Sequence, residues 1–137
     1  MAKYEVVCKE KNIQITTNLS ENVPWIVADI KLIDRVFQNL FDNAVRYNLP
    51  VGRIDLDLQK IDNQLFMKLS NTGETIPPSV LTQIFDRYFK NSEIEGSTGL
   101  GLAIVKKIVD LHGSNIVVAS NEGVTAFVFG LPVYLKG

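Results

Sequence analysis

A glycine-rich stretch at residues 96–102, GSTGLGL, leads directly into an amphipathic segment at residues 103–112. Glycines let a backbone approach a ligand closely, and the first unpaired N–H groups of a helix attract anions. Apolar residues recur at helical spacing from position 100 to Leu111, and Gly113 then ends the pattern. The stretch predicts a phosphate site at the start of a helix, although an ordinary glycine-bearing loop explains it equally well in isolation.

Two common phosphate-binding motifs do not fit this stretch. A dinucleotide fingerprint needs its glycines directly after a buried strand, whereas the polar segment KNSEIE at residues 90–95 precedes them here. A P-loop needs Gly-Lys-Ser or Gly-Lys-Thr at a fixed spacing, and that sequence does not occur.

A second candidate group lies on a long predicted helix. Asn39, Asn43 and Arg46 follow one another at about one-turn spacing, along one edge of that helix. Asparagine is a poor residue for a helix interior. The functional interpretation is that amide oxygens bind Mg²⁺, a hard cation that prefers oxygen ligands, while the arginine neutralises phosphate charge. Solvated or capping amides are the alternative.

Two further segments could contact a nucleotide. In the loop at residues 70–77, Gly73 permits a tight backbone and Asn71 offers one acceptor and two donors for a purine edge. Phe85 and Phe89 end the next predicted helix, just before Lys90 and the polar segment. Aromatics at one end and glycines at the other are typical of a lid over a ligand. An ordinary turn and core packing are the alternatives.

Composition limits the protein class. The 137 residues are 46% hydrophobic, which suits one globular domain over residues 1–137. A net charge of -1 gives no electrostatic reason to propose nucleic acid as a partner, so any phosphate site must be local. Cys8 is the single cysteine, which excludes disulfides and cysteine-rich metal sites and favours a reducing compartment.

The order of the predicted elements favours a sheet with its helices gathered on one face. Strands are predicted at residues 13–19, 24–28, 53–60, 64–70, 115–120 and 124–131. Helices are predicted from the cap Asp29 to about Tyr47, at residues 79–89, and at residues 103–112. No strict alternation of strand and helix supports a doubly wound fold.

Together the four segments resemble the catalytic ATP-binding domain of sensor histidine kinases, in the wider group that includes gyrase and mismatch-repair ATPases. Residues 39–47 look like the asparagine box and residues 71–77 like the first glycine box. Residues 85–90 look like the phenylalanine box and residues 96–102 like the second glycine box. The resemblance covers nearly the whole chain.

The resemblance implies an α/β sandwich in which a mixed, mainly antiparallel sheet carries about three helices on one face, with ATP and Mg²⁺ as cofactors. It assigns the metal to Asn43 with help from Asn39, the catalytic roles to Asn43 and Lys90, and adenine recognition to Asn71. The implied ATP-binding residues are Asn39, Asn43, Arg46, Tyr47, Asn71, Gly73, Ile76, Phe85, Lys90, Thr98, Gly99, Leu100, Gly101 and Leu102.

Two positions depart from the family pattern. Asn71 stands where aspartate is usual, which removes an ionised acceptor worth roughly 1 kcal/mol and predicts weaker nucleotide affinity. Thr75 stands where glycine is often found and is expected to stiffen the loop. The lid is also short and contains no arginine.

The chemistry favours a kinase over an ATPase. Hydrolytic relatives place a water-activating glutamate where this chain has Asn39, which has no basic form at neutral pH, whereas a neutral imidazole is already a nucleophile. His112 is the only histidine, and its position beside Gly113 predicts a structural role at a helix end. The acceptor histidine is therefore expected on a separate helical hairpin, and the isolated domain should show little turnover.

The implied partners are ATP, a phosphoacceptor histidine domain of the same protein and a response regulator. The domain is expected to be cytoplasmic and monomeric, and the parent protein homodimeric and sometimes anchored in the membrane. Two alternatives share the fold: a degenerate docking module that has lost nucleotide affinity, and a serine kinase of the anti-sigma type.

Overall fold

The computed structural model describes residues 12–19, 24–86 and 101–134. In chain order the strands and helices are β1 (Gln14–Leu19), α1 (Ile30–Arg46), β2 (Arg53–Ile61), β3 (Gln64–Thr72), α2 (Pro78–Leu81), α3 (Gly101–Leu111), β4 (Val117–Asn121) and β5 (Val124–Pro132).

Helix α1 begins where the sequence supplies a cap. The Asp29 carboxylate accepts hydrogen bonds from the N–H groups of Lys31 (3.0 Å) and Leu32 (3.2 Å), which satisfies two of the unpaired donors of the first turn. The residues of α1 that are buried recur at helical spacing, and they are Ile33, Val36, Leu40, Phe41, Ala44 and Val45.

The five strands form one mixed sheet in the order β1-β2-β3-β5-β4. β1 pairs with β2 in parallel, and the other three pairings are antiparallel. One register row aligns Leu56, Leu69, Phe127 and Val118 across four strands, and this row belongs to the core that the helices cover. The mixed sheet with its helices on one face confirms the predicted fold class.

Helix α3 ends in a Schellman motif. Gly113 has a φ of 70°, and its N–H donates to the carbonyl oxygen of Asp110 (3.0 Å). The N–H of Ser114 donates to the carbonyl oxygen of Val109 (3.1 Å). Glycine accepts this left-handed conformation without steric cost, so the predicted terminator is confirmed.

Several predicted boundaries were wrong. Residues 24–28 form no strand, because only Ile26 makes a bridge, to Val133. Up to residue 86, the predicted helix at residues 79–89 is reduced to α2 followed by turns, since the N–H groups of residues 83, 84 and 86 bond three residues back, and residues 87–89 lie outside the described residues. Leu111, predicted on the buried stripe, is 69% exposed at the end of α3, where Val109 is buried instead.

In the described part of the chain no helix is long and apolar enough to cross a membrane.

Candidate nucleotide-binding site

Three buried polar residues lie side by side on the helix-covered face of the sheet. Asn71 is in register with Thr125, and Thr125 with Ser120, at one end of β3, β5 and β4. Each is at most 8% exposed. Buried polar groups need hydrogen-bond partners, so each member of this row must be paired with a neighbouring group or with a ligand.

The amide of Asn71 has a defined orientation. Its Nδ2 donates to the carbonyl oxygen of Thr72 (3.0 Å), and turning the amide over would set two acceptors against each other. Among the residues that the structure describes, no group donates to its Oδ1. The side chain therefore presents a buried acceptor, as an aspartate at this position would. Asn71 was predicted to lie in a loop and instead is the eighth residue of β3.

Hydrogen bonds hold the loop at residues 73–77 against β4 and the turn between β4 and β5. The N–H of Gly73 donates to the carbonyl oxygen of Gly123 (2.9 Å), whose own N–H donates to Oγ1 of Thr75 (2.7 Å). The N–H of Ile76 donates to Oγ of Ser120 (2.8 Å), which also bonds Oγ1 of Thr125 (2.8 Å). Thr75 thus makes the contact through which it would stiffen the loop.

A second network fixes the end of α1 to the same strands. Oγ1 of Thr72 donates to Oδ1 of Asn48 (2.6 Å) and accepts from the N–H of Arg53 (2.8 Å). Nδ2 of Asn48 donates to the carbonyl oxygen of Arg53 (3.2 Å). The residue next to Asn71 is therefore tied to both the loop after α1 and the start of β2.

The edge of α1 that carries Asn39 and Asn43, called the asparagine edge below, faces the N-terminal end of the described part of α3. Asn39 and Asn43 are both half-buried, and a Cβ on Gly101 would lie 3.3 Å from Oδ1 of Asn39. Gly101 is the first described residue of helix α3, so the N-terminal end of the described part of this helix lies beside the edge. Arg46 is exposed on the last turn of α1.

Gly73 is explained by the close approach of its backbone to the end of α1. A Cβ on Gly73 would lie 2.7 Å from the carbonyl oxygen of Tyr47, the C-cap residue of α1. Gly73 is not among the described residues with positive φ, so this position needs space and not a left-handed backbone. The contact brings the loop that follows Asn71 against the end of the asparagine helix.

The remaining predicted residues divide into two groups. Ile76, Phe85 and Leu102 are half-buried and pack against the core, and the Phe85 ring meets Phe127 edge-on at 6.1 Å between centroids. A second set lies outside the described residues: Lys90, Thr98, Gly99 and Leu100.

The sequence-based prediction missed the residues that support the site. Ser120, Thr125, Thr72 and Asn48 carry its hydrogen bonds. One clue was present for Thr125, because it continues the alternation of Phe127 and Phe129 along β5 and so must face inward.

Four features together are those of a nucleotide-binding domain: a buried acceptor at a sheet end, a glycine loop held by hydrogen bonds, an amide-lined helix edge and the N-terminal end of the described part of α3 beside it. The family described as histidine kinase-, DNA gyrase B-, and HSP90-like ATPase matches residues 28–135. The heme sensor protein HssS of Staphylococcus aureus is 37% identical over 124 residues, which are 90% of this chain and 27% of HssS. The chain thus spans about a quarter of the length of these curated relatives.

Solved structures agree with this assignment. The nucleotide-free catalytic domain of the histidine kinase ThkA superposes with a TM-score of 0.87 and 26% identity, covering 96% of this chain and 86% of that one. ThkA in complex with the response regulator TrrA gives a TM-score of 0.82 and 26% identity, covering 97% of this chain and 38% of that one. The chain therefore belongs to the histidine kinase-, DNA gyrase B-, and HSP90-like ATPase family. Within that family it is a catalytic ATP-binding domain of the histidine-kinase type.

Proposed function

We propose that this domain binds Mg-ATP and supplies the γ-phosphoryl group for transfer to a histidine on a separate helical domain. The observation that carries the proposal is the orientation of Asn71, whose Nδ2 is held by Thr72 so that Oδ1 is left as a buried acceptor. An acceptor in this position suits the exocyclic amino group of adenine. The same acceptor opposes the carbonyl oxygen of guanine.

The phosphates would lie between the asparagine edge of α1 and the start of α3. Gly101 and Leu102 are the first described residues of that helix, and N–H groups near a helix N-terminus suit an anion. Arg46 lies on the neighbouring helix end and would balance phosphate charge. Thr98, Gly99, Leu100 and Lys90 extend this assignment by resemblance alone.

The donor set fits a magnesium ion carried in by the nucleotide. Asn43, with Asn39 one turn away, offers amide oxygens from a half-buried edge, and the rest of an octahedron would be water and phosphate oxygen. In the described ranges no cluster of three or more His, Cys, Asp or Glu side chains could hold a metal without the nucleotide. Bound there, Mg²⁺ would neutralise charge on the phosphates.

Transfer to histidine is favoured over hydrolysis by the residue at position 39. The Asn39 amide cannot remove a proton from water, whereas a neutral imidazole attacks phosphorus without a base. The domain's own task is then to orient the nucleotide and to exclude water. Asn43 and Lys90 are the residues that we assign to the reacting phosphate.

The parent protein and its partners follow from the same proposal. HssS is named as a sensor, and ThkA has been solved with a response regulator. We propose a homodimeric parent in which this domain is cytoplasmic, phosphorylates a histidine hairpin of the same protein and serves a response regulator. The domain by itself is expected to be a monomer.

Calorimetry tests the nucleotide site first. Mg-ADP should bind with an affinity that falls at least about tenfold in Asn43→Ala, because a ligand to the metal is lost. Asn18→Ala, on β1, provides the matched control and should bind as the unchanged domain does. If the domain does not bind nucleotide at millimolar concentration, ATP binding is excluded and the docking-module alternative is supported.

Transfer is tested by mixing the domain with a purified histidine hairpin and labelled ATP. The expected product is an acid-labile, alkali-stable phosphohistidine. An acid-stable phosphoserine on a protein partner would instead support a serine kinase.

A further inference from the structure

The imidazole of His112 joins the two main helices. Its Nδ1 lies 2.8 Å from the carbonyl oxygen of Ile108, and its Nε2 accepts a hydrogen bond from the backbone N–H of Asp29 (3.0 Å). Since Nε2 must be an acceptor here, the proton of the neutral ring is on Nδ1 and is donated to Ile108. The ring thus connects the end of α3 to the residue that starts α1.

The second close contact between these helices lies at the opposite end of the pair. Asp29 meets His112 at one end, and Asn39 meets Gly101 at the other, so the helices run antiparallel. At 1.5 Å rise per residue, the two contacts are about 15 Å apart along α1 and about 16.5 Å apart along α3. Because each helix is continuous between its two contacts, the axial position of α3 at one contact determines its axial position at the other.

The two helices also bury apolar side chains, whose close packing opposes sliding but supplies no directional bond. The buried residues of the two helices include Val36 and Leu40 on α1 and Val105 and Val109 on α3, and apolar contacts have little directional preference. A hydrogen bond from Asp29 to a ring that is itself held by Ile108 is directional and has a narrow range of lengths. Moving α3 along its axis therefore breaks this bond as well as disturbing the packing.

We propose that His112 is a positioning residue of the nucleotide site, because it sets the axial position of α3 and hence the separation of the Gly101 N–H from Asn39. This inference rests on the proposed function for the identity of the ligand. The Asp29 carboxylate is not part of the link, since it caps the N–H groups of Lys31 and Leu32. The nearest ion pair on α3, between Lys106 and Asp110, is also separate from it.

Two conservative variants separate the two hydrogen bonds. In His112→Gln the side-chain oxygen reaches the place of Nε2 and can still accept from Asp29. In His112→Asn the shorter amide reaches only the place of Nδ1, so it can donate to Ile108 but cannot reach Asp29. His112→Ala loses both bonds.

Nuclear magnetic resonance of the full chain and calorimetry with Mg-ADP provide the test. We expect His112→Asn and His112→Ala to shift the resonances of the Gly101 N–H and the Asn39 side-chain amide. Both variants should also lower ADP affinity by about tenfold, in keeping with the cost of small misplacements at a site. His112→Gln should restore both resonances and hold ADP affinity within about twofold of the original value.

A destabilised control excludes a general loss of structure. Leu58→Ala on β2 should lower the melting temperature while leaving the Gly101 and Asn39 resonances in place. The inference is overturned if His112→Asn behaves like His112→Gln, or if the changes in His112→Ala remain confined to residues around position 112. Failure of the unsubstituted chain to bind ADP would refute the proposed function, and the resonances would still decide the role of His112.

Discussion

Gly73 and the Tyr47 carbonyl oxygen are so close that a methyl group on Gly73 would lie 2.7 Å from that oxygen. The contact joins the loop after β3 to the C-cap of α1, and both atoms that would collide belong to rigid parts of the molecule. The Tyr47 carbonyl oxygen belongs to the backbone and not to the mobile end of a side chain. Relief of the collision would therefore require movement of the loop or of the helix end.

Gly73→Ala is therefore expected to destabilise the domain by about 1–3 kcal/mol and to weaken nucleotide binding, since the displaced loop begins two residues after Asn71. Gly113→Ala is the comparison: it meets nothing within 4 Å but has a φ of 70°, so it should cost only about 1 kcal/mol of backbone strain. Asparagine tolerates that conformation, so Gly113→Asn should recover stability in urea denaturation, whereas Gly73→Asn should not.

The orientation of Asn71 gives a second prediction. Asn71→Leu keeps the volume but removes the acceptor, so ADP affinity should fall about tenfold and the preference for ADP over GDP should disappear. Asn71→Asp should destabilise the free domain, because a carboxylate oxygen would replace the amide that lies 3.0 Å from the Thr72 carbonyl oxygen in a buried place. Calorimetry with both nucleotides and thermal unfolding measure these effects, and equal affinities for ADP and GDP in the unsubstituted chain would refute the assignment.

The asparagine edge and the Asp29 cap could be predicted from the sequence because both are local properties of one helix. Asn39 and Asn43 share an edge through helical spacing alone, and Asp29 caps a turn that follows it directly. The role of Ser120 could not be predicted in this way. It accepts from Ile76, 44 residues away in the sequence, and the two meet only because β3 pairs with β5 and β5 pairs with β4.

The exposed position of Leu111 and the amide orientation of Asn71 were also beyond sequence patterns. Helical spacing predicts which residues share a stripe, but the buried stripe of α3 is formed by Val105, Ile108 and Val109, and Leu111 lies to one side of it. Which atom of an amide faces a site depends on a neighbour such as the Thr72 carbonyl oxygen, and composition carries no information about it.

Ser120→Ala tests the hydrogen bond that holds the loop at residues 73–77 against β4. The change leaves the Ile76 N–H and the Thr125 hydroxyl without the partner that they share, at a place where Ser120 is 8% exposed. We expect a loss of about 1–3 kcal/mol in urea denaturation and weaker ADP binding. Thr82→Ala removes an exposed hydroxyl that donates to Ser79, so it should change stability by less than about 0.5 kcal/mol. Equal effects from the two substitutions would argue against a structural role for the buried hydroxyl.

Val51 offers a stabilising substitution close to the site. It has a φ of 58°, a left-handed conformation that is unfavourable for a β-branched residue, and its side chain is 78% exposed. Val51→Asn should therefore stabilise the domain by about 1 kcal/mol, since asparagine adopts this conformation more readily and little packing is lost. The urea midpoint should rise with an unchanged slope, and ADP affinity should stay the same. Leu49→Asn is the matched control, because Leu49 is exposed but is not among the described residues with positive φ, and it should give no gain. A rise in both variants would show that replacing an exposed apolar side chain by an amide, and not relief of backbone strain, had stabilised the domain.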